Sequence, residues 1–543
     1  MATKTAAPDI TDRMAERLAE IRERENEIRL GGGLKAIDKQ HEKGRLTARE
    51  RVEQLCDSDS PFFEIGLWAA DGMYTDVGGA PSAGVVSGIG RVHGRAVMIV
   101  ANDATVKAGA FFPATCKKVI RAQRIVMQTH LPAVYLVDSA GVFLPMQDEI
   151  FPDEDDFGRI FRHNAVISAM GIPQIAAIMG NCVAGGGYLP VMCDTLLMTE
   201  GSGLYLAGPA LVRSAIGQKV DHEELGGAFM HSAISGTVDF REPDDPACLT
   251  RLRSLIDRLG PPTASPFKRG ESKPPAPDPR LILDHYSDQP AGEYDMRELL
   301  ARVIDAGSWD EFKAEYGQSM VTALARIDGW NVGIVANQKM RTKPAKGPIE
   351  MGGVIYHESA DKAARFIMNC NQQHIPLIFV HDVNGFMVGR DSEQAGIIRA
   401  GAKLVNVVSN SVVPKISLLV GGSYGAGHYA LCGRAYDPTF ILAWPTARYA
   451  VMGGMQAAMT LVQIQEAALE KKGHKVDKKE HEELLTAIKK SYDDKTDVRY
   501  AASRGWIDAI IDPSETRTVL AQLLDYVSHP GDLPPFRTGA LQV

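Results

Sequence analysis

Two stretches, AAIMGNCVAGGGYLPVMCD at residues 176–194 and ISLLVGGSYGAGHYALCGR at residues 416–434, decide how the rest of the chain is interpreted. Each begins as an apolar run, passes through a turn of small residues and continues into a second apolar run. This order is typical of a buried strand that leads through a tight turn into a helix. The N–H groups at such a turn can bind phosphate or stabilise an oxyanion. Close packing of the strand on the helix would also explain the glycines.

Each of these stretches is preceded by the same arrangement of apolar runs. The first half of the chain contains AVMIVAND at 96–103 and LPAVYLVDSAG at 131–141, and the second contains NVGIVANQ at 331–338 and IPLIFVHDVNG at 375–385. Because the order and the spacing of the runs agree, we predict that the chain arose by internal duplication of one α/β domain. Continuous apolar strands that alternate with helices predict parallel pairing with helical layers outside the sheet.

The boundary between the two halves is indicated by GPPTASPFKRGESKPPAPDPR at 260–280, which is rich in proline and charge and poor in large apolar residues. Such a composition is typical of a linker. We therefore predict an N-terminal domain at residues 1–260, a linker at 261–280 and a C-terminal domain at 281–543.

Two charged stretches predict helices, the first packed on the domain or on a neighbouring subunit and the second exposed. Residues 11–30 form an amphipathic pattern that ends at Gly31–Gly33, and glycine is a common helix terminator. Residues 464–495 are rich in Lys and Glu. A solvated helix face is the simplest interpretation of that composition.

The composition excludes several classes of protein. The 543 residues carry a net charge of −8, which gives no electrostatic case for nucleic acid. The seven cysteines are scattered and form no CxxC pair, which argues against a zinc ribbon or a disulfide framework. No apolar run approaches the ~20 residues of a membrane span, and the N-terminus lacks a signal-like apolar region. The sequence predicts a cytoplasmic protein that binds neither nucleic acid nor a membrane.

A second turn in each half strengthens the functional interpretation of the glycines. Ser139-Ala140-Gly141 and Asn384-Gly385-Phe386 follow the preceding strands. Two N–H groups from two separate turns are what an oxyanion hole requires. No GK[ST] follows the glycines, so a P-loop is not predicted, and we do not predict a nucleophile elbow either.

The acidic residues at the strand ends, Asp138 and Asp382, are candidates for catalytic acids. His381, beside Asp382, has no polar counterpart in the first half. We therefore interpret these side chains as residues that cap the turns.

The stretch at 176–194 resembles the Gly-rich oxyanion segment of the crotonase, or enoyl-CoA hydratase, superfamily. A hydratase needs carboxylates to handle water, whereas no Asp or Glu lies between Gly185 and Cys193. The duplicated arrangement is similar to the carboxyltransferase (beta) subunit of biotin-dependent acyl-CoA carboxylases over about residues 35–525. FLPMQDEIFPDEDDFGRIFRHNA at 143–165 is similar to the 3-methylcrotonyl-CoA and geranyl-CoA branch. The chain departs from the usual pattern at three positions, which are Val142, Met146 and Phe229.

This resemblance implies two tandem crotonase-like domains and a role for each pair of turns. The enolate of an acyl-CoA, most simply 3-methylcrotonyl-CoA, would be held in the first half, and the enolate of biotin in the second. The implied donors are Gly141, Val142, Gly185 and Gly186 in the first half, and Gly385, Phe386, Ala426 and Gly427 in the second. Biotin itself acts as the base, so neither a catalytic side chain nor a metal is implied.

The resemblance also implies substrate contacts. Ala140, Gly187 and Tyr188 would line the acyl pocket. The phosphates of CoA would meet a basic cluster at Lys107, Lys117, Lys118 and Arg121, although a solvated helix face explains these residues as well.

The partners follow from what the chain lacks. It contains no Met-Lys-Met biotin-attachment motif and no ATP-grasp-like loop, so carboxybiotin would come from a separate biotin carboxylase and biotin carrier subunit. The family's ring-shaped hexamers imply a homohexamer core whose active sites lie between the first half of one copy and the second half of another. The alternatives are a geranyl-CoA or propionyl-CoA carboxylase, a sodium-pumping glutaconyl-CoA-type decarboxylase, and a non-enzymatic scaffold.

Overall fold

The structure is a computed structural model that describes residues 9–289, 292–471 and 477–541. Two sheets of eight strands each form its framework, one on either side of the predicted linker. The first sheet contains Phe63–Glu64 (β1), Val85–Val92 (β2), Arg95–Asn102 (β3), Ala133–Ser139 (β4), Gln174–Val183 (β5), Thr195–Thr199 (β6), Gly203–Tyr205 (β7) and Phe240–Glu242 (β8). The strands that follow the linker are Asp310–Glu311 (β9), Met320–Ile327 (β10), Trp330–Asn337 (β11), Val354–Ile355 (β12), Leu377–Val383 (β13), Gly385–Phe386 (β14), Lys415–Tyr424 (β15), Phe440–Ala443 (β16), Arg448–Ala450 (β17) and Ala509–Ile510 (β18).

Helices cover the sheets in both halves. Those of the first half are Ile10–Arg29 (α1), Leu34–His41 (α2), Ala48–Leu55 (α3), Pro113–Thr129 (α4), Phe157–Ala169 (α5), Tyr188–Val191 (α6), Pro209–Ile216 (α7), His222–Gly226 (α8) and Asp245–Asp257 (α9). Those of the second half are Met296–Leu300 (α10), His357–Gln372 (α11), Arg390–Gln394 (α12), Ile397–Ser409 (α13), Gly425–Ala430 (α14), Gly454–Lys471 (α15), Lys478–Thr496 (α16), Val498–Ser503 (α17) and Thr516–Tyr526 (α18).

The two sheets have the same topology. The first has the order β1-β2-β3-β4-β5-β6-β8 with β7 beside β5, and the second has the order β9-β10-β11-β13-β15-β16-β18 with β17 beside β15. In each sheet the first three strands pair antiparallel, and the others pair parallel. The predicted duplication of a largely parallel α/β domain is therefore confirmed.

The duplication extends to single buried side chains. Lys118 of α4 donates to the carbonyl of Val85, the first residue of β2, at 2.7 Å. Lys362 of α11 donates to the carbonyl of Met320, the first residue of β10, at 2.9 Å. Burial lowers the pKa of these amines, to about 7 for Lys118 and about 8 for Lys362. In both halves a buried amine thus ties a covering helix to the same point of the sheet.

The terminal helices pack across the two halves. Helix α1 buries Met14, Ile21 and Ile28, as its pattern predicts, yet its arginines pair with carboxylates of the second half. These pairs are Arg13–Asp288 at 2.7 Å, Arg17–Asp497 at 3.1 Å and Arg22–Asp512 at 2.8 Å. One continuous apolar core includes residues of both β3 and β11. The halves therefore share a core although each has its own sheet.

The Lys/Glu-rich stretch at 464–495 forms parts of two helices, α15 and α16, and its residues 472–476 lie outside the described residues. Among the helices that the structure describes, none combines the length and the apolar character that crossing a membrane requires.

Candidate active site

The Gly-rich turn and the preceding strand-end turn lie against each other in both halves. In the first half, a Cβ built on Gly186 would lie 3.8 Å from the Cα of Gly141. In the second half, a Cβ built on Gly427 would lie 3.3 Å from the Cα of Gly385. In each half, the structure therefore brings together two turns that the sequence relates only through their order along the chain.

The N–H groups of these turns are not equivalent. Gly141 donates its N–H to the Ser139 Oγ at 3.1 Å, so this donor is engaged within its own loop. Ala426 and Gly427 lie in the first turn of α14, where backbone N–H groups have no acceptor within the helix. Gly185 and Gly186 occupy the same position in the 3₁₀ turn Ala184–Gly187.

A buried aspartate fixes the strand-end turn of the first half. Asp138 accepts a hydrogen bond from the Asn181 N–H at 3.1 Å, at the point where the register of β4 and β5 shifts. Arg51 reaches the same carboxylate at 3.4 Å. Burial raises the pKa of Asp138, and the Arg51 guanidinium opposes that shift. Because Asp138 holds the strands and faces Arg51, its role is structural.

Asp382 fixes the strand-end turn of the second half in the same way, but with different partners. It accepts from the Gly422 N–H at 2.9 Å, again at a register shift, here between β13 and β15. Its other contacts are the Lys339 Nζ at 2.9 Å and the Tyr294 hydroxyl at 2.8 Å. A Cβ on Gly421 would lie 2.5 Å from this carboxylate, so the strand must carry glycine there. Sequence reasoning placed Asp382 at the turn but missed Lys339 and Tyr294, which lie far from it along the chain.

The backbone of the first Gly-rich turn is strained at Ala184, whose φ is 56°. The corresponding residue of the second half is Gly425, with a φ of 55°. The left-handed region costs a residue with a Cβ roughly 1–2 kcal/mol. The surrounding structure offsets this cost, and the resulting conformation of the turn places Gly186 beside Gly141.

Ala184→Gly is therefore expected to raise the stability of the protein by about 1 kcal/mol, because glycine adopts this conformation without strain but gains entropy in the unfolded chain. Thermal unfolding followed by differential scanning fluorimetry measures the change. Ala176→Gly, inside β5, is the matched control and should lower the midpoint. A lower midpoint for Ala184→Gly would contradict the assignment of strain.

The residues expected around the acyl group lie beside the first Gly-rich turn. Tyr188 begins α6 and is 50% exposed, and its ring lies 5.9 Å from that of Phe161. Gly187 is buried, and a Cβ on it would lie 3.0 Å from the Leu204 side chain. Ala140 is exposed in the strand-end turn.

The predicted basic cluster divides into two pairs. Lys107 and Lys117 are exposed and are free to meet an anion. Arg121 is buried, donates to both oxygens of Asp508 at 2.9 and 2.7 Å, and also contacts the Thr439 carbonyl at 2.8 Å. The expectation that Arg121 meets CoA phosphate is thus wrong for this chain, because its guanidinium is used up in joining the two halves. Lys118 is likewise occupied within the sheet.

Both halves carry large apolar side chains that are exposed. In the first half they include Leu144, Phe151, Ile216, Phe229 and Ile234, and in the second half Val388, Ile398 and Val451. Contiguous exposed apolar surface commonly marks an interaction site. No group of three or more His, Cys, Asp or Glu side chains in the described part of the chain is arranged to hold a metal ion.

Comparison with known proteins identifies the family. The family model described as the carboxyl transferase domain matches residues 39–530. The chain belongs to the carboxyl transferase family. Among the relatives of this carboxyltransferase, the biotin-dependent 3-methylcrotonyl-coenzyme A carboxylase beta1 subunit of Mycobacterium tuberculosis is 44% identical, with 96% of each chain covered. The mitochondrial methylcrotonoyl-CoA carboxylase beta chain of Arabidopsis thaliana is 40% identical over 93% of this chain and 85% of that protein.

A solved structure agrees with the fold of this carboxyltransferase. The crystal structure of the beta subunit of P. aeruginosa geranyl-CoA carboxylase superposes with a TM-score of 0.85 at 33% identity, and the match covers 100% of this chain and 99% of that one. The expected tandem crotonase-like fold and the expected resemblance to acyl-CoA carboxylase beta subunits are therefore confirmed.

Proposed function

We propose that this carboxyltransferase transfers the carboxyl group of carboxybiotin to 3-methylcrotonyl-CoA. The observation that carries the proposal is the pairing of backbone turns, Gly141–Gly186 in one half and Gly385–Gly427 in the other, in a chain that matches 3-methylcrotonyl-CoA carboxylase subunits over nearly its whole length. Two enolates need two holes, and the chain supplies one in each half.

The second-half turns fit the ureido oxygen of biotin. Ala426 and Gly427 offer backbone donors beside Gly385, and a Cβ built on Gly385 meets no atom within 4 Å, which leaves room for a ring. When bound, carboxybiotin supplies CO2 and, after losing it, the base. The N–H groups stabilise the negative oxygen by about 3 kcal/mol per donor.

The first-half turns hold the thioester. The N–H groups of Val142 and of Gly185 or Gly186 donate to the thioester oxygen, which gains negative charge when a proton leaves the acyl chain. The turns also orient the acyl chain toward the other hole, and the resulting proximity lowers the barrier further. Lys107 and Lys117, which are exposed on the same half, are proposed to meet the phosphates of CoA.

One chain does not bring the two holes together by itself in this scheme. The exposed apolar side chains of the two halves are proposed to meet between copies, the first half of one against the second half of the next, in a homohexamer core. Carboxybiotin comes from a biotin carboxylase and biotin carrier subunit, and the complex is proposed to be cytoplasmic.

The proposal is tested with purified holoenzyme and ¹⁴C-bicarbonate across a panel of acyl-CoAs. ATP-dependent fixation should be highest with 3-methylcrotonyl-CoA and should be absent when this chain is assayed alone. The chain alone should still decarboxylate malonyl-type thioesters slowly with free biotin. A preference of tenfold or more for propionyl-CoA would overturn the substrate, and ATP-dependent fixation by this chain alone would overturn the division between subunits.

Tyr188→Gly is expected to extend activity toward geranyl-CoA at the expense of 3-methylcrotonyl-CoA. The ring stands beside Gly187 and against Phe161, where it would close the pocket behind a five-carbon acyl group. Removing it leaves space for a ten-carbon chain but loses the contacts of the short one. The measurement is kcat/KM for both substrates, with Tyr188→Phe as the control that keeps the ring. Unchanged specificity in Tyr188→Gly would show that Tyr188 belongs to the packing of α6.

A further inference from the structure

A buried chain of three polar side chains lies directly under the Gly-rich turn of the second half. Ser423, near the end of β15, is hydrogen-bonded through its Oγ to the Nδ1 of His381 at 2.9 Å and to the Nδ1 of His428 at 2.7 Å. His381 lies on β13, next to Asp382, and His428 is the fourth residue of α14, next to Gly427. The three side chains therefore connect both strands that end at the site with the helix that follows the turn.

The hydrogen bonds among these three side chains run in one direction. The Arg434 N–H donates to the Nε2 of His428 at 3.3 Å, so that nitrogen carries no proton and the proton of a neutral ring must lie on Nδ1. His428 then donates to the Ser423 Oγ, and Ser423 donates its own proton to the Nδ1 of His381. His381 Nε2 makes no regular hydrogen bond to any described residue, although the Leu431 carbonyl acts to raise the pKa of the ring.

The ring of His428 is enclosed on several sides. It lies edge-on to Tyr449 of β17 with 4.3 Å between ring centroids, and a Cβ on Gly433 would lie 2.1 Å from it. Burial lowers the pKa of His428 to about 4 and that of His381 well below its ordinary value. Both imidazoles are therefore neutral at physiological pH, and a fixed dipole rather than a charge lies under the turn.

The first half lacks these three hydrogen-bonded side chains although its backbone has the same arrangement. At the corresponding positions of β4, β5 and the Gly-rich turn it has Val137, Cys182 and Gly187. None of these side chains can form the two hydrogen bonds that Ser423 forms. The polar chain is thus specific to the half that is proposed to receive carboxybiotin.

We propose that His381, Ser423 and His428 are positioning residues of the carboxybiotin site, which fix the Ala426 and Gly427 N–H groups relative to Gly385. The proposal rests on the function proposed above and deepens it. His428 and Ser423 bracket the turn on its two sides, and His381 ties both to the strand that leads to Gly385. Without these hydrogen bonds, the turn would keep its glycines, but its two N–H donors would no longer be held toward one oxygen.

The test compares three substitutions of His428 in the holoenzyme. Asn can place its amide nitrogen where Nδ1 lies and can still donate to Ser423, whereas Gln reaches only the position of Nε2 and Leu reaches neither. We expect His428→Asn to keep kcat within about threefold of wild type. His428→Leu and His428→Gln should lower kcat roughly tenfold or more, while KM and Kd for the acyl-CoA stay unchanged because the first half is untouched. Ser423→Ala should match His428→Leu, and the double variant should be no worse than either single one.

Several outcomes overturn the proposal. They are a folded His428→Leu enzyme with unchanged kcat, a His428→Asn enzyme as slow as His428→Leu, and a rise in the KM for acyl-CoA as large as the fall in kcat. Crystal structures of the Leu and Asn variants give a readout that does not depend on activity. The Ala426–Gly427 turn should move relative to Gly385 in the first variant only, and an unmoved turn rejects the positioning role. If the wild-type holoenzyme fixes no carboxyl group, the proposed function is rejected instead. The crystal structures of the variants would then still test whether His381, Ser423 and His428 position the turn.

Discussion

Ala426→Pro is expected to lower carboxyl transfer by roughly a hundredfold or more, since removing one donor from an oxyanion hole has an effect of that order. Proline has no N–H but tolerates the first turn of a helix, and Ala426 is the second residue of α14. The substitution therefore deletes one donor of the second-half hole and leaves the helix in place. The affinity for acyl-CoA, measured by calorimetry, should stay within a few-fold of wild type.

Two further variants control this result. Ala426→Gly keeps the N–H and should retain most of the activity. Gly186→Val adds a branched side chain at the first-half turn, where a Cβ would already lie 3.8 Å from Gly141, and should weaken both transfer and acyl-CoA binding. If Ala426→Pro abolished acyl-CoA binding in a folded protein, the roles of the two halves would be reversed.

Asp508→Asn is expected to have the largest effect on stability, with a loss of about 3–5 kcal/mol, the range found when one partner of a buried ion pair is removed. Asp508 accepts hydrogen bonds from Arg121 at 2.7 Å, from Arg434 at 3.0 Å and from the Ile441 N–H at 2.9 Å. Burial acts to raise the pKa of Asp508, but the two arginines outweigh it and hold the pKa below its ordinary value. The carboxylate is thus charged at neutral pH, and the amide would leave two arginines without their counter-charge.

Thermal unfolding of Asp508→Asn should show a midpoint lower by roughly 5 °C or more, given the enthalpy of a chain of this size. Asp512→Asn is the matched control, because Asp512 pairs with Arg22, whose side chain is 61% exposed. Exposed pairs contribute at most about 1 kcal/mol. Equal midpoints for the two variants would show that the buried pair between α4 and the second half does not stabilise the fold.

The sequence predicted the fold well because the fold depends on local patterns. Apolar runs such as LPAVYLVDSAG and its second-half counterpart, bounded by turn residues, are typical of strands that end in tight turns, and the repeat of the pattern predicted two sheets of one topology. Boundaries were close for the same reason: helix α1 was predicted at 11–30 and spans Ile10–Arg29.

The site could be predicted only where it consists of backbone. Glycine that recurs at matched positions indicates a tight turn or a close approach of the backbone, because a side chain there would be strained or would clash. Side-chain contacts could be predicted less well, because burial and pairing depend on residues far away along the chain. Arg121 was expected to face CoA but pairs with Asp508, and the bonds of His381 and His428 to Ser423 follow from a strand register that no local pattern reveals.

The packing of helix α1 against the second half bears on how the chain would respond to proteolytic cleavage. Residues 261–264 are exposed, so a protease should reach them first. The two fragments would nevertheless stay together, because α1 of the first fragment is paired with Asp288, Asp497 and Asp512 of the second, and Arg121 with Asp508. We therefore expect the two halves to remain one folded unit after cleavage, since they also share one apolar core.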